Sequence, residues 1–280
     1  MTTSPKVLDA LQRDLALEHG AIIQYLIHGT LLRDSAMTDP VRKIAREEMW
    51  HFEWLAEAIR DRGGEPALDR ADVFLSASPS GNLTEDVSTE GSALSHYAAT
   101  LELVGDQDAD LTQLIERIVA DERHHRVTFE RLARKVAADG DETYAAHPLM
   151  GPEDLGVVGP TVGLEYASLL QYLFNKYGCG DCGAGEGYFE LAVDEMRHMS
   201  WAAAYVPGVT EPRAPDVPAD RVRFIHSTGE AHRAAELLEG AAAEFYSAKI
   251  SQANDAGLAE DLNRAAEQHA YHRYRLGRMG

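Results

Sequence analysis

The chain has 280 residues, of which 45% are hydrophobic, and it carries a formal net charge of −20 at pH 7. An acidic surplus of this size argues against nucleic acids and anionic membrane surfaces as partners, because both reward positive charge. No apolar run approaches the ~18 residues of a membrane span and the N-terminus has no signal-peptide core, so we expect a soluble cytoplasmic protein.

Four helices are predicted in the first half of the chain. Apolar residues recur there every three or four positions, which is typical of one packed helix face, at about 5–33, 41–60, 84–105 and 110–138. The link at 61–82 is long, whereas the other links are short. A four-helix bundle with one crossover connection requires this order of links.

The second half of the chain repeats the first at an offset of 147 to 149 residues. LEHGAIIQY (17–25) matches LEYASLLQY (164–172), and EEMWHFEWLA (47–56) matches DEMRHMSWAA (194–203). Two further blocks, which begin at positions 90 and 117, match blocks that begin at 239 and 264. Four matched blocks at a nearly constant offset are hard to obtain by chance, so we predict a tandem duplication.

The boundary between the two copies is predicted near residues 139–154. This divides the chain into a first domain at 1–145 and a second at 150–280, each expected to be a four-helix bundle with its own Glu/His site. The predicted fold class is therefore all-α. In the second copy the proline-rich segment 207–220 takes the place of the crossover link, and its prolines predict an extended backbone.

Acidic and imidazole side chains interrupt the apolar faces of the first four helices. Two faces carry a single Glu, and the other two carry a Glu-x-x-His pair, whose members lie about one helical turn apart. Four bare carboxylates in one interior are strongly disfavoured, so they take up protons or surround a cation. Such a set is the ligand set of a carboxylate-bridged dinuclear metal site. Its members are Glu18, Glu48, His51, Glu90, Glu122 and His125.

A family resemblance adds to this interpretation. LEHGAIIQY, EEMWH and ADERHH resemble the motifs of helices one, two and four in the ferritin-like superfamily, and DEMRH in the second half is similar to bacterioferritin. The resemblance spans most of both halves as separate motifs. It implies two tandem ferritin-like four-helix bundles, and a di-iron or di-manganese centre that reacts with dioxygen or peroxide. A metal-free hydrogen-bonded network of the same residues is the alternative, and Glu102 and His96 are alternatives to Glu90 as ligand.

The second half carries an altered set of candidate ligands. His269 stands where Glu122 stands in the first half, so a bridging carboxylate has become an imidazole and one negative charge is lost. This change favours divalent or single-metal occupancy. A second dinuclear site, a mononuclear site and a degenerate site kept for packing stay open. The aligned set is Glu165, Glu195, His198, Glu239, His269 and His272.

Two tyrosines are candidate catalytic residues. Tyr25 and Tyr172 each lie seven residues after the single Glu of their helix, so they share its face two turns away. Each can hydrogen-bond a ligand or donate an electron, and a packing role in the core is the alternative.

Two other features carry weaker hypotheses. Met49 and Met196 follow the Glu of their Glu-x-x-His pairs, where bacterioferritins hold a haem ligand, but a packing role is preferred and haem is not expected. Cys179 and Cys182 form a Cys-x-x-Cys flanked by glycines. They are too few for a structural zinc site or a disulfide framework, which leaves a redox dithiol or a reduced pair in a loop.

The expected function is a non-haem dimetal oxidase or oxygenase, with iron preferred and manganese open. It would use dioxygen or peroxide on iron or on a small organic substrate. The alternatives are iron storage, peroxide disproportionation of the manganese-catalase type, and a metal-free scaffold. A storage shell is disfavoured because a fused pair of bundles fits it poorly and no fifth helix is expected after His272. We expect a monomer or a homodimer.

Overall fold

The computed structural model describes residues 4–146, 152–178, 185–204 and 214–279. Over these residues the chain is all-α, as predicted, and its only bridge between extended residues is the isolated pair Leu32 and Ala145. The described residues divide into two compact units. Unit 1 contains residues 4–146, and unit 2 contains the described residues of 152–206 and 215–280.

Unit 1 is a four-helix bundle with one long crossover link. Helix α1 packs along α2 and α3 packs along α4, while α1 also contacts α3 and α2 contacts α4. A single 3-10 turn precedes α4. The helices are α1 (Pro5–Thr30), α2 (Ser35–Asp61), α3 (Pro79–Val104), α4 (Ala109–Asp139) and the short α5 (Asp141–Tyr144).

Helices α2 and α3 begin earlier than the apolar pattern predicts. The side chain of Asp34 accepts a hydrogen bond from the Ala36 amide, and Ser78 caps α3 in the same way. These caps satisfy amides that have no partner within the helix. Residues 35–40 are therefore helical, although Pro40 removes one backbone donor inside α2.

Polar side chains fasten the crossover link of unit 1 to the bundle. The Gln24 side chain donates to Asp86 Oδ1 and accepts from the Phe74 amide, both at 3.0 Å. The His28 ring lies 2.7 Å from Asp86 Oδ1 and 2.8 Å from the Phe74 carbonyl. These contacts join α1, the link and α3, so that Glu90, one turn after Asp86, lies in the same interior as α1.

Unit 2 repeats this arrangement. Helix α6 packs along α7, α8 packs along α9, and α6 contacts α8. Gln171 exchanges two hydrogen bonds of 2.9 Å with the Arg223 backbone, as the counterpart of the Gln24 contact. No helix in the described part of either unit has the length and apolar character needed to cross a membrane. The hypotheses about Cys179 and Cys182 concern residues outside the described ranges. The helices are α6 (Pro152–Gly178), α7 (Gly185–Ala204), α8 (Thr228–Ile250) and α9 (Ala256–Leu276).

Candidate metal centres

In unit 1, the predicted ligand residues lie together in one buried cluster. Helices α1 and α3 each contribute one Glu, and α2 and α4 each contribute a Glu-x-x-His pair. Each residue is at most 2% exposed. The alternative ligands His96 and Glu102 lie on the exposed side of α3. The cluster consists of Glu18, Glu48, His51, Glu90, Glu122 and His125.

The cluster consists of two overlapping groups that share two carboxylates. Within each group, the ligand atoms lie within 4.8 Å of one another. Glu48 and Glu122 belong to both groups. One group adds Glu18 and His51, and the other adds Glu90 and His125. Two shared carboxylates between two Glu/His groups is the arrangement that can bridge a pair of cations.

Most ligand atoms of this cluster lack a hydrogen-bond partner. His51 Nδ1 lies 2.7 Å from a Glu48 oxygen and 2.8 Å from a Glu122 oxygen, yet it makes no hydrogen bond of acceptable geometry. An unmet buried polar atom costs about 1–3 kcal/mol. Cations would supply the missing partners, and this set of carboxylate oxygens and imidazole nitrogens fits iron. The seven described atoms are both oxygens of Glu48, both oxygens of Glu90, Glu122 Oε1, His51 Nδ1 and His125 Nδ1.

The outer nitrogen of each histidine faces a carboxylate from the opposite helix. His51 Nε2 lies 3.4 Å from Asp121 Oδ2, and His125 Nε2 lies 3.1 Å from Glu47 Oε2. An acceptor at Nε2 keeps the proton there and leaves Nδ1 to face the cluster. Sequence reasoning missed both carboxylates. The available signal was that each directly precedes a cluster Glu, in the doublets at 47–48 and 121–122.

Two tyrosines border the cluster of unit 1. Tyr97 donates a hydrogen bond to Glu18 Oε1, a role that was not predicted although Tyr97 lies on the same helix face as Glu90. Tyr25 is fully buried, and its pKa is raised by this burial and by the charge of Glu90. Its ring packs against Phe129, with centroids 4.8 Å apart. Tyr25 therefore lies beside the cluster, and its redox role stays a prediction.

The electrostatics of unit 1 sort the carboxyl groups into two kinds. Burial and neighbouring carboxylates raise the pKa of Glu18 and Glu90 well above the usual value. Burial also raises the pKa of Glu48 and Glu122, but the nearby imidazoles outweigh it, and both net shifts are downward. For the two histidines, burial lowers the pKa and the carboxylates outweigh it, so that His125 reaches about 10.

Apolar side chains line the turns next to this cluster. Ile22, Leu55 and Phe129 each lie four residues after a cluster residue, and each is at most 1% exposed. Met49 is also buried in unit 1, and Met196 is buried in unit 2. An interior closed by such residues excludes water, which strengthens electrostatic interactions inside it.

In unit 2, the aligned residues also lie together, but they are hydrogen-bonded to one another. The two overlapping groups share Glu195 and His269. Glu267, two residues before His269 on α9, is exposed and lies outside the cluster. Of the described ligand atoms, only Glu165 Oε2 lacks a hydrogen-bond partner. The cluster consists of Glu165, Glu195, His198, Glu239, His269 and His272.

The ring of His269 lies between two carboxylates of unit 2. Its Nδ1 is 2.8 Å from Glu239 Oε2, and its Nε2 is 3.2 Å from Glu165 Oε1. Tyr172 donates to Glu239 and Tyr246 donates to Glu165. Burial lowers the pKa of His269, but the charge of Glu165 and the hydrogen bonds outweigh it and raise the pKa to about 11. A redox role for Tyr172 stays a prediction.

A family model and two bacterioferritins are similar to parts of this chain. The family model described as Ferritin-like domain matches residues 8–138. A bacterioferritin from Desulfovibrio desulfuricans is 29% identical over 156 residues, which cover 54% of this chain and 87% of the relative. A bacterioferritin from Brucella melitensis is 30% identical over 151 residues, which cover 51% of this chain and 92% of the relative.

Two further comparisons concern an enzyme and a solved structure. A 3-demethoxyubiquinol 3-hydroxylase from Paracidovorax citrulli is 32% identical over 111 residues, which cover 36% of this chain and 54% of the relative. The solved structure of the Desulfovibrio desulfuricans bacterioferritin, which is described with a diiron site, shares 28% identity at a TM-score of 0.45. The matched region covers 49% of this chain and 84% of the bacterioferritin chain.

Proposed function

Because this chain belongs to the ferritin-like superfamily, we propose that unit 1 binds a pair of iron ions and that the protein is an oxidoreductase using dioxygen or peroxide. The seven unpartnered polar atoms that face one another in the unit 1 cluster carry this proposal. Protons alone satisfy such a set poorly, since each proton serves one or two atoms. Two cations would give every atom a partner and would offset the carboxylate charge.

The ligand roles follow from the two overlapping groups. Glu48 and Glu122 would help to hold both ions, because they belong to both groups. The remaining ligands of one ion would be Glu18 and His51, and those of the other ion would be Glu90 and His125. When bound, a ferrous pair supplies electrons to the oxidant. The relatives do not favour manganese, so iron is proposed.

The surrounding residues would position these ligands. Tyr97 holds one oxygen of Glu18 and so leaves the other oxygen to the ion. Asp121 and Glu47 accept the outer N–H groups of the histidines, which orients both rings and makes them more basic. Tyr25, buried next to Glu90, is the group proposed to exchange a proton or an electron at the cluster.

An oxygenase acting on a small organic substrate and an oxidase acting on ferrous iron are both of this reaction class. Likeness to a 3-demethoxyubiquinol 3-hydroxylase supports the oxygenase, and likeness to bacterioferritins supports iron oxidation or storage. Storage is therefore the second candidate function. It predicts a large shell of many chains on a sizing column, whereas the oxidoreductase proposal predicts a monomer or homodimer.

The proposed function is tested by oxidant consumption. The protein is loaded anaerobically with ferrous iron, and dioxygen or peroxide is then added while an electrode follows the oxidant. We expect native protein to consume oxidant, Glu90→Gln to lose that activity, and Glu102→Gln to retain it. Glu102 is the matched control because it is an exposed carboxylate on the same helix. Iron-loaded native protein that consumes neither oxidant would rule out the proposal.

A further inference from the structure

The structure assigns different states to the two clusters: we propose that the unit 2 cluster is a closed imidazole–carboxylate network that binds no metal pair, and that His269 closes it. The proposal goes beyond the function proposed for unit 1, because it holds for any reaction at that site. It turns on a single difference between the aligned ligand sets, namely His269 in place of Glu122.

The two clusters differ in how many imidazoles are available to pair with their carboxylates. Unit 1 holds four carboxylates and two imidazoles, so two carboxylates have no imidazole to pair with. Unit 2 holds three carboxylates and three imidazoles, which can pair one to one. Buried carboxylates need such partners, because a bare charge in a dry interior is strongly disfavoured. The unit 2 set can meet this need from its own imidazoles, whereas the unit 1 set has too few imidazoles to do so.

The second argument is the position of the His269 ring. Both of its nitrogens are within hydrogen-bond distance of carboxylate oxygens, at 2.8 Å from Glu239 and 3.2 Å from Glu165. Tyr172 occupies the other oxygen of Glu239, so both oxygens of this carboxylate are engaged. An atom that is already hydrogen-bonded must lose that bond before it can bind a cation. The His269 ring therefore occupies carboxylate oxygens that would otherwise be free to bind a cation.

The third argument is the state of the other two histidines. His198 Nδ1 and His272 Nδ1 each make a hydrogen bond of 3.0 Å to one oxygen of Glu195. Their counterparts in unit 1, His51 Nδ1 and His125 Nδ1, lie 2.7 Å and 3.0 Å from the Glu48 oxygens, but neither makes a hydrogen bond of acceptable geometry. Equivalent nitrogens therefore approach the equivalent glutamate in both units, and only in unit 2 does the geometry meet that of a hydrogen bond.

Packing against Tyr246 holds the His269 ring in place. The Tyr246 ring stacks on His269 with centroids 5.3 Å apart and planes at 17°. Tyr246 also donates a hydrogen bond to Glu165, so it is itself fixed at the cluster. Displacing His269 to admit ions would break two hydrogen bonds and this ring contact together. Ion binding in unit 2 is opposed by each of these contacts.

The experiment measures bound cobalt(II) per full-length chain by equilibrium dialysis and atomic emission, with the visible absorption of bound cobalt as a second readout. We expect about two ions in native protein, about four in His269→Glu and about none in Glu122→His. His269→Glu restores the fourth carboxylate, and Glu122→His imposes the unit 2 set on unit 1. Circular dichroism checks that each variant is folded.

A second pair of variants keeps the proposal testable if His269→Glu does not fold. Glu48→Gln should lower the cobalt content of native protein, and the aligned Glu195→Gln should leave it unchanged. Native protein with four ions, reduced to two by Glu195→Gln, would overturn the proposal. So would a folded His269→Glu that stays at two ions. If native protein bound none while His269→Glu bound two, the proposed function of unit 1 would fail and the closed network would stand.

Discussion

Loading unit 1 of the metal-free protein with two divalent cations is expected to release about four protons per chain near pH 6.5. Without metal, the raised pKa values of Glu18 and Glu90 favour the protonated form of both carboxyl groups. The carboxylates raise the pKa of His51 and His125, so both imidazoles are also protonated. All four groups must give up a proton to bind metal. The four positive charges that leave as protons are thus replaced by the four charges of two divalent ions.

The release of about four protons makes the metal affinity depend steeply on pH. If four protons leave when two ions bind, the free metal concentration for half-loading falls about a hundredfold for each unit of rising pH. The sign follows from the same linkage, because low pH favours the protonated cluster and competes with the metal. The dependence should weaken above the raised pKa values, and that of His125 is about 10.

The assay is titration calorimetry with cobalt(II) in two buffers of similar pKa and different ionisation enthalpy. The slope of the observed enthalpy against the buffer enthalpy gives the number of protons released per chain. Glu102→Gln is the matched control and should keep the native slope, whereas Glu90→Gln should lower it. Release of no more than one proton would refute this reasoning, since it would mean that the metal-free cluster is already deprotonated.

Three further predictions follow from single contacts. Burial raises the pKa of Asp14 from 3.8 to about 6, so its stabilising contribution is present at low pH and lost as pH rises through 6. In urea unfolding, the free energy of unfolding of Asp14→Asn should rise by about 3 kcal/mol relative to that of native protein between pH 4 and pH 7. A difference that stays constant with pH would contradict this prediction. Asp121→Asn should weaken cobalt binding about 10–100-fold, whereas exposed Asp110→Asn should not change it, and equal dissociation constants would count against the histidine-orienting role. In Gly178→Ala the new Cβ would overlap the backbone oxygen of Ile225, so calorimetry should show a free energy of unfolding lower by about 1–3 kcal/mol. Gly163→Ala, with nothing within 4 Å of the new Cβ, should show no such loss.

The fold and the membership of the clusters could be predicted because helix periodicity decides which side chains share a face. Glu48 and His51 interrupt the apolar face of α2, and both are buried there. The 147-residue offset then transfers this placement to Glu195 and His198 in unit 2, which are also buried. The division into residues 1–145 and 150–280 with one metal site each remains a prediction.

The starts of α2 and α3 could not be predicted from the apolar pattern. Each helix begins with a turn whose stability comes from a cap, Asp34 or Ser78, and not from a buried face. Periodicity reports only residues that pack, so the first turns were assigned to links. Capping residues are visible in the sequence, but Asp and Ser are also common in loops, and only the hydrogen bonds distinguish the two.

The groups around the ligands could not be predicted either, because they depend on neighbouring helices. Asp121 on α4 faces His51 on α2, and Tyr97 on α3 faces Glu18 on α1. The consequence of His269 was also open at the level of sequence, which allowed a dinuclear, a mononuclear or an empty site. The directions of its two ring nitrogens favour the empty site, and such directions are a property of the packed bundle.

Anomalous diffraction at the iron absorption edge tests the central claim most directly. Crystals of protein loaded anaerobically with ferrous iron would be measured on both sides of the edge. We predict two anomalous peaks in unit 1, flanked by Glu48 and Glu122, and none among the cluster residues of unit 2. A map with no peak between these two carboxylates would contradict a di-iron centre in this chain.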